Sequence, residues 1–288
     1  MLKNIACNIK SQVNAQVLNQ DTELALTAFF AGGHVLLEGQ TGLGKTKWAF
    51  ALAQAIGVSC HKMRFSEDDM DVSGESGLNR GPLFANVFLA DGIGNARPKM
   101  QSILMDAMDE QTITTVGSEV YLLPEPFFII ASHDGGKALP EALTDRFMIK
   151  LPVSYPGVAA EKQILQTYHD IKPSTPVCSI EDIAQCKQEV QAVGVEDAIY
   201  NYIVSIVETT RRVGAVMAGA SPRGSIALLL AAKSYAAIQG RDYVIMDDVR
   251  NLALPVLRHR IVLKPDASHE GIKPDRIIES ILIGRRMP

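Results

Sequence analysis

Residues 39–46 have the residue types and the spacing of a loop that binds phosphate. They read Gly-Gln-Thr-Gly-Leu-Gly-Lys-Thr and match the pattern G-x-x-x-x-G-K-[ST]. Glycines let backbone N–H groups curve around a phosphate, Lys45 can reach the β- and γ-phosphates, and Thr46 can hold a magnesium ion. The pattern therefore predicts a site for ATP and Mg²⁺. The predicted nucleotide contacts are Gly39, Gln40, Thr41, Gly42, Leu43, Gly44, Lys45, Thr46 and Lys47.

Asp91 ends an apolar, strand-like run that covers residues 86–91. Proteins with such a phosphate loop place here the acid that orders the water shell of the magnesium ion. An aspartate at the end of a strand is also a common turn former, but the loop upstream favours the metal role. The predicted magnesium site therefore consists of Thr46 and Asp91.

Short β-rich runs alternate with longer helical segments in the first half of the chain. Nearly continuous apolar strands that are separated by helices predict a parallel sheet covered on both faces. Apolar residues between 100 and 108 recur with helical spacing, and residues 112–123 have the pattern of a hairpin that turns at Gly117-Ser118. The predicted strands are residues 34–38, 61–65, 86–91, 127–132 and 147–151.

The chain changes character after residue 156, because no comparable series of strands follows. Apolar residues from Ile199 to Val207 have helical spacing, and Ser221-Pro222 suits the N-cap and first position of another helix. We therefore expect two domains, an α/β nucleotide-binding domain over residues 1–156 and a helical domain over residues 157–288.

The composition narrows the class of protein. Of 288 residues, 47% are hydrophobic and 21% are charged, which is usual for a globular protein. The net charge of -4 gives no general attraction to nucleic acid or to anionic lipid. The chain starts without a signal-like segment and lacks a run of about 20 apolar residues, so no membrane span is expected. Four widely spaced cysteines predict reduced thiols, and a cytoplasmic location is expected.

Five longer segments extend the comparison beyond the phosphate loop. They read, in this order, RGPLFANVFLAD, PKMQSILMDAMDE, LLPEPFFIIAS, LPEALTDRF and GASPRGSIALLLAAKSYAAIQGRDYVIMDDV. Together they resemble the MoxR family of AAA+ ATPases over most of residues 30–260. The resemblance implies an α/β fold: an AAA+ P-loop domain with a parallel sheet flanked by helices, followed by a small all-helical lid domain. It also implies a homo-oligomeric ring, expected to be a hexamer, and a protein client such as a von Willebrand A-domain protein.

The resemblance also gives roles to two arginines. Arg146, in Asp-Arg-Phe, matches the arginine that reaches into the nucleotide site of a neighbouring subunit. Arg223, in Ser-Pro-Arg, matches the second sensor arginine, which couples the lid to the γ-phosphate. The predicted catalytic residues are Lys45, Asp91, Asp134, Arg146 and Arg223.

The sequence departs from the family where water should be activated. Gly92 stands where these proteins have the activating glutamate, and glycine offers no base. Ser132-His133-Asp134-Gly135 stands where they have an asparagine at the end of the fourth strand, and the loop from there to Leu139-Pro140 is shorter than usual. Either Asp134 or His133 could supply a displaced base, although a carboxylate there would also repel phosphate. The residues leave rescue and loss of hydrolysis as open alternatives.

Three functions are compatible with these residues to different degrees. The leading interpretation is a slow ATP-driven chaperone or remodelling factor that acts on a protein partner. The alternative, which Gly92 favours, is a non-hydrolysing ATP-binding scaffold or nucleotide-gated interaction protein. An ATPase that acts on DNA is disfavoured, because the hairpin over residues 112–123 contains neither Lys nor Arg.

Overall fold

The computed structural model describes residues 1–17, 20–65, 81–114, 119–167 and 173–284. In these ranges the helices are α1 (Leu2–Gln16), α2 (Thr22–Phe30), α3 (Lys45–Ile56), α4 (Pro98–Glu110), α5 (Glu141–Thr144), α6 (Val158–Thr167), α7 (Ile180–Ala192), α8 (Asp197–Arg212), α9 (Pro222–Ile238), α10 (Met246–Leu257), α11 (Pro265–His269) and α12 (Pro274–Gly284). The strands are β1 (Val35–Glu38), β2 (Cys60–Arg64), β3 (Val87–Asp91), β4 (Thr112–Thr114), β5 (Val120–Leu122), β6 (Phe128–His133), β7 (Ile149–Pro152), β8 (Val216–Ala218) and β9 (Val262–Leu263).

The five strands predicted for the first half form one parallel sheet in the order β2-β3-β6-β1-β7. Asp91 at the end of β3 lies beside Ser132, and Glu38 at the end of β1 lies beside His133. Because all five strands run in the same direction, their carboxyl ends meet at one edge of the sheet. The prediction of a parallel sheet is confirmed, and its topology brings the chemistry-bearing strand ends together.

Successive side chains of each central strand pack into two different layers. Leu37 faces a cluster that contains residues of α1, α2, α3 and the C-terminal helices, whereas Leu36 faces a cluster with residues of α4 and the segment around Phe147. Since side chains alternate along a strand, both faces of the sheet need helical cover, which explains the continuous apolar runs in the sequence. The predicted α/β class with helices on both faces is confirmed.

The C-terminal region is helical, as predicted, and contains one small addition. Strands β8 and β9 pair antiparallel, with Val216 opposite Leu263. They have three and two residues and could not be recognised from a periodic pattern. Helices α1 and α2 pack on α9 and share its apolar cluster, so the two ends of the chain are joined through one core. A domain boundary after residue 156 remains a prediction.

The predicted hairpin is present as β4 and β5, which pair antiparallel with Ile113 opposite Tyr121. The turn predicted at Gly117-Ser118 lies outside the described residues. The four cysteines carry free thiols, as expected. Among the helices of the described ranges, none is both long enough and apolar enough to cross a membrane.

Candidate functional site

The predicted phosphate loop joins the carboxyl end of β1 to the first turn of α3. Gly42 and Gly44 have φ angles of 91° and 79°, in the left-handed region that glycine adopts without a steric penalty. Within the described ranges, the backbone N–H groups of residues 40–44 find no acceptor. A row of donors without a protein acceptor at a helix N-terminus is suited to an anion. The loop therefore has the features of a phosphate cradle.

Lys45 lies inside this loop. Its side-chain nitrogen donates hydrogen bonds to the carbonyl oxygens of Gly39 and of Gln40, the latter at 2.9 Å, and the residue is only 8% exposed. Desolvation lowers the pKa of Lys45, while the charges of Asp91 and Asp134 act in the opposite direction. The ammonium group is thus held between the loop carbonyls and two carboxylates at the edge where a nucleotide phosphate would enter.

Thr46 and Asp91 direct their oxygens towards one cation. The ammonium nitrogen of Lys62, on β2, lies 2.7 Å from Asp91 Oδ2 and 3.2 Å from Thr46 Oγ1. Ser132 Oγ donates to the other carboxylate oxygen, Asp91 Oδ1, at 2.6 Å. Burial raises the pKa of Asp91, but the contacts with Lys62 and Ser132 outweigh it and leave the pKa lowered. A hydroxyl and an ionised carboxylate that already share a cation are hard oxygen ligands of the kind that Mg²⁺ prefers, so this donor set fits the metal.

Gly92 follows Asp91 and has a left-handed backbone, with a φ of 74°. Its N–H donates to the backbone and hydroxyl oxygens of Ser132, each at 3.1 Å. A Cβ at this position would meet no atom closer than 3.6 Å, so space for a side chain exists but the backbone disfavours one. The position of the family's glutamate therefore carries no base and has a conformation suited to glycine.

His133 was one of two candidates for a displaced base, and both of its ring nitrogens have partners. Nε2 lies 2.8 Å from the carbonyl oxygen of Lys137, and Nδ1 lies 3.9 Å from Glu38 Oε1. The Glu38 carboxylate raises the pKa of His133, although burial opposes it. Because both ring nitrogens already face protein partners, the geometry argues against His133 as the base.

Glu38 was not recognised in the sequence, although it immediately precedes the loop. The contact with His133 and the ion pair with Lys150, at 2.7 Å, outweigh burial and lower the pKa of Glu38 to about 2. This cluster joins the carboxyl ends of β1 and β6 to Lys150 of β7. It therefore supports the site without contributing to the predicted contacts.

Glu38→Gln is expected to destabilise the fold most between about pH 4.5 and 6.5. The lowered pKa of Glu38 stabilises the fold above its ordinary value of 4.5, and this contribution is lost as pH falls towards about 2. The raised pKa of His133 stabilises the fold below its ordinary value of 6.5, and this contribution is lost as pH rises through the raised value. Because solvent reaches the carboxylate, we expect a loss of about 0.5–1 kcal/mol. Urea unfolding at pH 5.5 and 8.5 measures it, and an equal loss at both pH values would contradict the coupling.

Asp134 is the remaining candidate for a displaced base. It is exposed, and its Oδ1 accepts a hydrogen bond from the Gly136 N–H at 3.0 Å. That hydrogen bond, with the charges of His133 and Lys45, lowers the pKa of Asp134. The carboxylate is therefore ionised, as a general base must be, and it lies close enough to Lys45 to feel its charge.

The two predicted arginines share one carboxylate of the same chain. Asp109 Oδ2, near the end of α4, accepts Arg146 Nε at 2.9 Å, and Arg146 Nη2 lies 2.8 Å from the same oxygen. Arg223 Nη2, in the first turn of α9, lies 3.6 Å from it. Arg223 thus contacts the same carboxylate that holds Arg146. Sequence reasoning missed Asp109, because nothing in its local pattern distinguishes it from a solvated helix residue.

The segment that carries Arg146 is hydrogen-bonded to the helical C-terminal region. Arg260, after α10, is 6% exposed and donates from Nε to Asp145 Oδ1 at 2.9 Å and from Nη2 to the Phe147 carbonyl at 2.7 Å. Ser221 Oγ, at the start of α9, donates to Asp145 Oδ2 at 3.2 Å. Asp145 and Phe147, the two chain neighbours of Arg146, are therefore bonded to the helical C-terminal region.

Comparison with known proteins agrees with this architecture. The model of the ATPase family associated with various cellular activities (AAA) matches residues 34–149, and the AAA lid domain model matches residues 208–281. YeaC of Bacillus subtilis (strain 168) is 41% identical over 92% of this chain and 88% of its own length. Chaperone MoxR1 of Mycobacterium tuberculosis is 33% identical over 94% of this chain and 79% of its own.

A solved structure shows the same fold over the whole chain. The crystal structure of a candidate ATPase from Cytophaga hutchinsonii superposes with a TM-score of 0.90 at 28% identity, covering 100% of this chain and 96% of its own. The family models, the relatives and the geometry of the loop all lead to one conclusion. The chain belongs to the MoxR family of AAA+ ATPases.

Proposed function

We propose that this chain binds ATP with Mg²⁺ at residues 39–47 and hydrolyses it slowly, as part of a ring that remodels a protein partner. The observation that carries the proposal is the convergence of three features at one edge of the sheet. The loop offers free N–H donors, Lys45 lies within it, and Thr46 and Asp91 already share a cation. Each feature suits a different part of a metal-bound triphosphate.

Different residues of the chain would bind the phosphates, hold the metal ion and support hydrolysis. The N–H groups of the loop would hold the phosphates, and Lys45 would turn from the loop carbonyls to the β- and γ-phosphates. Thr46 and Asp91 would hold Mg²⁺, which supplies neutralisation of phosphate charge. Gly92 leaves the attacking water without the usual base, so positioning and charge stabilisation must support most of the rate.

The ring is proposed from the position of Arg146. In its own subunit this arginine binds Asp109 and the Ala142 carbonyl. An arginine of this type stabilises the transferred phosphoryl group when a neighbouring subunit supplies it. We therefore propose a homo-oligomeric ring, a hexamer by analogy with the family.

A protein client is proposed from the hairpin. Val120 and Leu122 on β5 are 63% and 80% exposed, and Tyr121 is exposed beside them. Exposed apolar side chains without neighbouring Lys or Arg suit a peptide segment better than a polyanion. One relative is named a chaperone, which supports the same class of client, and a von Willebrand A-domain protein is the partner that the family suggests. The cytoplasmic location remains a prediction from composition.

Lys45→Ala is expected to weaken ATP binding by about ten- to hundredfold, because it removes a charge-assisted contact worth about 1.5–3 kcal/mol. Calorimetry with a slowly hydrolysed ATP analogue measures this, with Lys233→Ala as the matched control. Lys233 is a half-buried lysine of α9 that donates to the Gln191 carbonyl. Unchanged affinity in Lys45→Ala would refute the site.

The alternative function is a scaffold that binds ATP without turnover, and Gly92 is the observation that favours it. Phosphate release with and without Mg²⁺ separates the two. Binding and ring assembly without any phosphate release would support the scaffold over the ATPase.

A further inference from the structure

The ammonium group of Lys62 lies where the magnesium ion of the proposed site would have to bind. Its nitrogen is 2.7 Å from Asp91 Oδ2 and 3.2 Å from Thr46 Oγ1, and it bridges the two. The edge strand β2 holds Lys62 beside Leu89 of β3, two residues before Asp91, so the side chain reaches forward along the sheet to the site. The contact is therefore built from the register of two paired strands.

A lysine ammonium and Mg²⁺ cannot use these two oxygens together. Mg²⁺ demands nearly octahedral geometry and keeps several waters, so the ion and the water shell that Asp91 would order need the space that the ammonium fills. The two cations would also repel each other at this separation. Ser132 already donates to Asp91 Oδ1, which leaves Oδ2 as the oxygen for which they compete.

We propose that Lys62 is an internal cation that holds the magnesium position in the metal-free site and must leave it before Mg²⁺ binds. This inference rests on the proposed function, because it concerns the same nucleotide site. Without metal, Lys62 neutralises Asp91, whose charge would otherwise repel the incoming phosphates. Lys62 therefore supports metal-free nucleotide binding and opposes magnesium binding. It is a positioning residue that sets how strongly nucleotide and metal depend on each other.

Arg64 provides a matched comparison on the same strand. It lies directly opposite Asp91 in the register of β2 and β3, and its charge also acts on that carboxylate. The pair of oxygens of Thr46 and Asp91, however, is bridged by Lys62. Lys62→Met and Arg64→Met each remove one positive charge near Asp91, but only the first frees the metal position.

The test is the ratio between the affinity for a slowly hydrolysed ATP analogue in excess Mg²⁺ and its affinity in EDTA, measured by calorimetry. Lys62→Met is expected to increase this ratio by roughly five- to tenfold, mainly through weaker binding in EDTA. A Mg²⁺ titration of the nucleotide complex should reach half-saturation at a correspondingly lower concentration. Arg64→Met should keep a ratio near that of the wild type, and circular dichroism checks the fold of both variants.

The outcomes distinguish this inference from the proposed function. Normal nucleotide binding with an unchanged ratio in Lys62→Met would overturn the inference alone. Equal increases in Lys62→Met and Arg64→Met would also overturn it, because general charge rather than the metal position would then explain the effect. A wild-type protein that binds no nucleotide with or without Mg²⁺ would overturn the proposed function, and the inference with it.

Discussion

Gly92→Glu is expected to raise the rate of ATP hydrolysis by about 10²-fold or more at saturating nucleotide. General-base catalysis contributes about 10²–10⁴-fold, and glycine at this position supplies none of it. Asp91, the residue before Gly92, contacts Ser132 and Lys62. A side chain at position 92 therefore starts beside the proposed magnesium site. Phosphate release measures the rate, and calorimetry should show that nucleotide binding is little changed.

Gly92→Gln is the control that isolates the carboxylate. The φ of 74° at this position costs a side chain about 1–2 kcal/mol in either variant, and both side chains have the same length. Any loss of stability or distortion of the loop is thus common to the two variants. The glutamate variant should be faster than the glutamine variant by the full general-base factor. Equal rates would show that a carboxylate at position 92 cannot reach the water.

If Asp134 acts as the general base, the expected rate of ATP hydrolysis is the opposite. If this ionised carboxylate near Lys45 has taken over as the base, turnover of the wild type will be ordinary for such ATPases and Asp134→Asn will abolish it. Under the proposed function, turnover is slow and Asp134→Asn changes it little. Substantial turnover that survives Asp134→Asn but not Lys45→Ala would defeat both accounts.

Much of the fold could be predicted because the features that define it are local. The central strands β1, β3 and β6 are recognisable as apolar runs, and the phosphate loop is a single contiguous motif with a strand before it and a helix after it. Ser221-Pro222 marks the start of α9 for the same reason, although the Ser221 hydroxyl bonds to Asp145 and does not cap its own helix. Local chemistry thus gives the elements and their ends.

The contacts between elements could not be predicted, because they depend on the order of the strands and on how the lid packs. Lys62 reaches Thr46 and Asp91 only because β2 lies beside β3, and one sequence gives no sign of that neighbour. Asp109, Arg146 and Arg223 come from three distant parts of the chain, and the packing of the elements brings them together. The sequence identified the arginines but not the carboxylate that holds them. Either arginine must leave Asp109 before it can bind a phosphate.

Arg146→Ala is expected to lower hydrolysis by about 10³-fold or more while each subunit still binds ATP. Arginines supplied from a neighbouring subunit contribute about 10³–10⁵-fold to phosphoryl transfer. In its own subunit Arg146 is neutralised by Asp109, so the phosphate of a neighbour must compete with that carboxylate for it. The effect is best measured in the Gly92→Glu background, where turnover is faster. Arg212→Ala, which removes an exposed arginine paired with Glu208, serves as the control.

Mixing two inactive variants tests whether Arg146 acts on a neighbouring subunit. Subunits with Lys45→Ala bind ATP about ten- to hundredfold more weakly, so they stay largely empty at a limiting ATP concentration, but they still carry Arg146. Subunits with Arg146→Ala hold ATP but lack the arginine. In a mixed ring, an Arg146→Ala subunit can receive the arginine of its Lys45→Ala neighbour, so activity should return on mixing although each variant alone is inactive. Light scattering confirms that rings form in the mixture. Rings that remain inactive when mixed would show that Arg146 serves its own subunit, and the proposal that it completes a neighbour's site would then be wrong.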